Sequence, residues 1–167
     1  MNQDKVLVTS SHSKNIFGFA VKQNYWQQFD FWLACLAGVI FWLTYKLYYI
    51  DADLTLSVPE LTFTLVSLIF VFPILEEIVF RGLIQESIQK LFQHYQIKTT
   101  FLWHISFANI FASLFFSLIH IGTHPALWAL ATLIPSLIFG YFKDKYQSLY
   151  PSIALHIFYN FGFYLLL

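Results

Sequence analysis

Hydrophobic positions fall into long runs separated by short polar breaks. The first run, Phe29 to Ile50, has the length of about 20 residues that a helix needs to cross a bilayer core. Trp26 and Trp32 near one end, and Tyr45, Tyr48 and Tyr49 near the other, suit aromatic belts at both interfaces. Lys46 can snorkel outward. Asp51, Asp53 and Glu60 form an acidic loop, and Pro59 suits a helix start. An apolar run from Glu60 to Phe80 then passes without a strong stop into residues Gly82 to His94. There Leu83, Ile84, Ile88 and Leu91 recur at helical spacing between polar positions, so this part is amphipathic. Thr100 to His120 reads as a third long apolar helix, and Gly122-Thr123-His124-Pro125 as a turn. Ala126 to Phe142 is a fourth span with a kink at Pro135, closed by Lys143-Asp144-Lys145, and Ser148 to Leu167 is the last.

The pattern predicts an all-α polytopic transmembrane helix bundle of about five spans. Residues 29–167 form one domain behind a polar leader, residues 1–28. Ile16, Phe17, Phe19, Val21, Tyr25 and Trp26 would let the second half of the leader lie on a membrane surface. The leader holds no apolar core of the length a cleavable signal peptide requires.

Composition sharpens the class. Only 11% of the 167 residues are charged, where a soluble domain carries about 25%. Formal net charge is zero, so nothing electrostatic points to nucleic acid. The single cysteine, Cys35, excludes an intrachain disulfide and a cysteine metal cluster and reads as a small buried hydrophobe. Lys5, Lys14, Lys22, Arg81, Lys90, Lys98, Lys143 and Lys145 fall on one side of a five-span arrangement. The positive-inside rule then places the amino terminus in the cytoplasm and the carboxyl terminus outside, as for a bacterial inner-membrane protein.

Chemistry must come from the few polar groups inside the spans. These are Glu76, Glu77 and Arg81 in the second helix, His120 at the end of the third, and His156 and Asn160 in the last. Glu77 and Arg81 share a helix face and can pair, whereas Glu76 is turned about 100° away and free to face something else. Phe116 shares a face with His120, as His156 does with Asn160. Each residue has an ordinary reading, since a lone intramembrane histidine is often only hydrogen-bonded to a neighbouring helix. His12, His94, His104 and His124 lie in polar, interfacial or loop stretches and are set aside. Three apolar helices that each bring an acid, an imidazole or an amide to one interior argue for function.

The series Glu76-Glu77-Ile78-Val79-Phe80-Arg81, then Phe116-Ser117-Leu118-Ile119-His120, then His156-Ile157-Phe158-Tyr159-Asn160 resembles the CAAX prenyl protease and bacteriocin-processing (CPBP, or Abi) family of intramembrane endopeptidases. The resemblance covers about residues 60 to 163. It implies that Glu76 is the base that activates water, with His120 holding that water. His156 and Asn160 would stabilise the oxyanion, supported by Glu77, Arg81 and Phe116. The substrate would be a membrane-embedded or lipid-anchored protein or peptide cut near its C-terminal tail. Relatives act on prenylated tails, bacteriocin leaders or sorting tails. No cofactor is expected; zinc held by Glu76, His120 and His156 is the alternative, although the spacing is not H-E-x-x-H. A non-catalytic bacteriocin-immunity or regulatory membrane protein of the same fold is the rival reading. A proton-coupled transporter is a third, without the internal repeat such folds often show.

Depth tests the assembly. A second span ending at Arg81 would leave Glu76 at one membrane face and His120 at the other. One helix running from near Pro59 to near His94, bent at Pro73, removes the conflict. At 1.5 Å per residue Glu76 then lies about 20 Å above Lys90, His120 about 24 Å above His104 and His156 about 16 Å above Lys145.

Overall fold

The computed structural model describes residues 24–49, 62–102, 104–122 and 125–166. The surface reading of the leader, the acidic loop and Pro59 fall outside them. Helix α1 is Phe29–Tyr49, 21 residues, entered through a short turn at Tyr25–Gln27. Helix α2 runs unbroken over Phe63–His94, 32 residues, so the single long helix expected from the amphipathic continuation is present. It begins at Phe63, where the Thr62 hydroxyl accepts the Leu65 N–H at 3.1 Å and closes a free donor of the first turn.

Two widened, π-helical stretches interrupt α2, at Ser67–Val71 and at Ile78–Gln85, and leave Phe72–Glu77 as an α-helical piece between them. Pro73 accounts for the first. It has no N–H to donate and its ring crowds the preceding turn, and a wider turn relieves that crowding.

The third apolar run is not helical throughout. Thr100–Leu102 (β1) and Ile105–Ser106 (β2) form a small antiparallel hairpin, with Thr100 opposite Ser106. Helix α3 is Phe107–His120, 14 residues. Ser106 fixes its start, since its extended backbone ends the strand while its hydroxyl accepts the Asn109 N–H at 2.9 Å. Helices α4 (Ala126–Ala131) and α5 (Leu133–Tyr146) form one span broken at Thr132. Pro135 supplies the cause, and the Thr132 hydroxyl donates back to Ala129 O at 2.6 Å. Helix α5 continues a turn past Phe142, so Lys143 and Asp144 lie inside its last turn rather than ending it. Helix α6 is Tyr150–Leu166, 17 residues.

Among the described residues three helices, Phe29–Tyr48, Phe63–His94 and Ala126–Tyr146, are long and apolar enough to cross a membrane. Their outer faces carry large exposed apolar side chains, such as Leu36, Ile40 and Leu43 on α1 and Phe70, Val71 and Leu75 on α2. In hydrocarbon such a surface needs no cover. Inside, Phe31, Ala34, Cys35, Phe139, Phe142, Tyr146 and Leu155 join α1, α5 and α6 in one core. Glycines allow the closest approaches. A Cβ at Gly140 of α5 would lie 1.8 Å from Asn109 Oδ1 of α3, and one at Gly162 of α6 would lie 2.1 Å from the Trp42 ring of α1. Lys46 does not snorkel outward; it is 8% exposed and turned into the bundle. It continues the inward face of α1 that carries Gly38 and Trp42.

Candidate active site

The α-helical piece Phe72–Glu77 presents its two acids to different surroundings. Glu77 is fully buried and meets Arg81 one turn on, Nε to Oε2 at 3.2 Å. The i,i+4 spacing permits this pair, and burial demands further partners, because a guanidinium taken out of water must have its donors satisfied. Arg81 donates to Ser136 O at 2.8 Å, to Ser136 Oγ at 2.6 Å and to Ser113 Oγ at 3.2 Å. The cation therefore ties α2 to α3 and α5. Being fully buried, Arg81 does not count among the cations that orient loops.

Below Arg81 the polar path continues. Gln85 donates to Asp144 Oδ1 at 2.7 Å and Ser106 donates to Asp144 Oδ2 at 2.6 Å, while Lys143 pairs with Glu86. Lys143 is 4% exposed, and Glu86, whose side chain is 33% exposed, answers its charge from the edge of the bundle.

Glu76 faces the other way. Its side chain is 31% exposed, and it lines a cavity of about 470 Å³ together with His120, His156 and Asn160. The long α2 thus brings the acid to the depth of both histidines. The remaining walls are apolar and aromatic: Phe41 and Trp42 from α1, Phe72 from α2, Trp128 from α4, Pro135 from α5 and Phe163 from α6.

His156 lies between the two carboxylates. Its Nδ1 is 3.0 Å from Glu77 Oε1 and its Nε2 is 3.5 Å from Glu76 Oε2. A neutral imidazole has one N–H. With Nδ1–H donated to Glu77, Nε2 is the nitrogen turned toward Glu76. The ring is held flat against Phe139, centroids 4.7 Å apart at 20°, and is 5% exposed. The sequence pairs Glu77 with Arg81 alone; the fold adds His156 to it.

His120 has Nδ1 2.8 Å from Phe116 O. A carbonyl only accepts, so Nδ1 carries the proton and Nε2 is the basic nitrogen of the neutral ring. Phe116, 3% exposed, packs between the imidazoles, 4.5 Å from the His120 ring centroid and 5.9 Å from that of His156. Asn160 also reaches the cavity, but its amide donates to Leu68 O at 2.9 Å. Ser113, Ser136, Gln85 and Asp144 were not among the residues singled out in the sequence. Small polar residues on apolar helices are a known mark of helix–helix contact, and that signal was available for the serines.

His156 Nδ1 faces Glu77 and His120 Nδ1 faces the Phe116 carbonyl, which leaves Nε2 of each ring, with Glu76, as the donors a zinc ion would have to use. Among the described residues no group of three or more His, Cys, Asp or Glu side chains is arranged to hold a metal ion.

The fold and the site are those of a helical membrane bundle with an acid and two imidazoles facing one internal cavity. The family profile for type II CAAX prenyl endopeptidase Rce1-like proteins matches residues 58–162. The chain belongs to that family of CAAX-type intramembrane endopeptidases, and the matched region contains Glu76, Glu77, Arg81, His120, His156 and Asn160, while the cavity walls Phe41, Trp42 and Phe163 lie outside it. No curated protein and no solved structure matches the chain significantly.

Proposed function

We propose that the protein hydrolyses a peptide bond near the C-terminal tail of a membrane-associated, lipid-anchored substrate, with Glu76 as base and without a metal. The observation that carries this reading is the partial exposure of Glu76 to an apolar cavity that it shares with His120, His156 and Asn160. Water held by His120 Nε2 loses a proton to the Glu76 carboxylate as its oxygen bonds to the substrate carbonyl carbon. The oxyanion is met by the Nε2–H of a charged His156 and by the second amide hydrogen of Asn160. Donors fixed in a dry site are worth more than in water. When the carbon–nitrogen bond breaks, Glu76 passes its proton to the leaving amine. The aromatic walls suit a lipid chain or an apolar peptide segment. The loop cations support an amino terminus in the cytoplasm, as in a bacterial inner membrane.

The test is cleavage of a prenylated C-terminal peptide in proteoliposomes. Glu76→Ala and Glu76→Gln are expected to lose at least about 10²-fold in kcat, the scale of a general base, while folding normally. Undiminished cleavage in both would remove Glu76 as the base. A chelator should leave the wild-type rate unchanged; loss restored by added zinc would overturn the metal-free route.

A further inference from the structure

We infer that Asn160 is a positioning residue for Glu76, completing the hydrogen bonding that Pro73 leaves open in α2. In the wide stretch Ser67–Val71 the Phe72 N–H reaches back to Ser67 O. It is therefore not directed at Leu68 O, its ordinary α-helical partner. One residue further, the π-helical partner of Leu68 O would be the nitrogen of residue 73. That residue is Pro73, which has no hydrogen. Leu68 O thus loses its main-chain donor by either pattern, in an apolar interior where such a loss is costly. Asn160 Nδ2 stands 2.9 Å from that oxygen.

The consequence falls on the acid. Glu76 lies one turn beyond Pro73, in the piece Phe72–Glu77 whose direction is set by how the turn before it closes. The amide on α6 fixes that turn, and His156, one turn earlier on α6, grips both acids. Two side chains of one helix therefore hold the acid-bearing piece at its start and at its end. This rests on the reading of Glu76 as the base, and it leaves the second amide hydrogen of Asn160 for the oxyanion.

The decisive comparison is Asn160→Ala, Pro73→Ala and the double variant in full-length protein. Pro73→Ala returns an N–H to residue 73, so the carbonyls before it no longer depend on α6. Asn160→Ala is expected to lose more than about 10²-fold in kcat, the cost of a misplacement near 1 Å added to that of the lost oxyanion donor. In the Pro73→Ala background only the donor's share should remain, so that the same change costs less than about a tenth as much. A pure oxyanion donor would cost the same in both backgrounds, which would overturn the inference. The pH profile of kcat/KM adds a readout that lost stability alone would not move. Its limb reporting the Glu76 carboxyl, which His156, His120, Glu77 and Tyr164 face, should shift in Asn160→Ala and return in the double variant.

Amide hydrogen exchange over residues 66–77 needs no activity. It should speed up in Asn160→Ala and recover in the double variant, and unchanged exchange in Asn160→Ala would overturn the inference. If the wild type cleaves nothing, the exchange still decides the role of Asn160 while the catalytic reading fails alone. If cleavage depends on Glu76 but the exchange is unaltered, the reverse holds.

Discussion

Glu77 carries two duties in the geometry, countering the Arg81 charge and accepting from His156, and the two can be separated. Glu77→Gln keeps the shape and leaves a buried guanidinium without its counter-charge, at an expected cost of about 3–5 kcal/mol. Replacing the pair together, Glu77→Leu with Arg81→Met, removes the buried charge and should recover most of that loss in thermal unfolding. Cleavage should stay depressed, because His156 Nδ1 no longer has an acceptor to fix its proton. If the double variant regains activity along with stability, Glu77 serves the fold alone. The pair itself was legible from the sequence, since four-residue spacing on a helix is a local fact. The bridge from Glu77 to His156 was not. It depends on how α2 and α6 are rotated against each other, and two wide turns flank the acids and shift the wheel on which side-chain directions are reckoned. The hydrogen bond from Asn160 to Leu68 was hidden for the same reason, although Pro73, which creates the need for it, stood in plain view.

Among the elements, amphipathic continuation made the long α2 readable. Its polar residues after Arg81 recur at a helical period, and nothing between Arg81 and His94 stops a helix. The hairpin at Thr100–Ser106 escaped because a short apolar run of β-branched and aromatic residues has the hydropathy of a span without showing which period it follows. Close helix contacts were equally silent, since a glycine in an apolar run does not say what lies across from it. Gly162 lies across from Trp42, whose ring would stand 2.1 Å from an added Cβ. Trp42 also walls the cavity, so the contact couples packing to the site. Gly162→Ala is expected to destabilise by about 1–3 kcal/mol, the usual range for overpacking. Trimming the opposing ring with Trp42→Phe should return part of it. Denaturation in detergent of the two single variants and the double variant measures the coupling. Strictly additive losses would mean that α1 and α6 yield independently at this point.

For the whole molecule, composition assigned the membrane class, and the order of three motifs on three helices gathered the site, but the thickness of the bundle could only be measured on the folded chain. Helix α2, at 32 residues, spans about 48 Å, whereas α3, at 14 residues, covers about 21 Å. The hydrocarbon core of an ordinary bilayer is about 30 Å. The hairpin before α3 exposes Phe101 and Leu102, yet a two-stranded sheet has open edges that need water or headgroups. It therefore belongs at the interface and does not lengthen the apolar span of α3. On that side the protein fits a thinner membrane, and a thicker one must compress locally or tilt the helices that carry His120 and His156. Mismatch costs a fraction of a kcal/mol per Å, enough to matter for a site built across three helices. Unfolding temperature and cleavage rate should therefore both be highest in dimyristoleoyl phosphatidylcholine vesicles, lower in dioleoyl and lowest in dierucoyl. Equal rates and melting temperatures across the series would show that α2 alone sets the fit and that α3 does not meet lipid along its length.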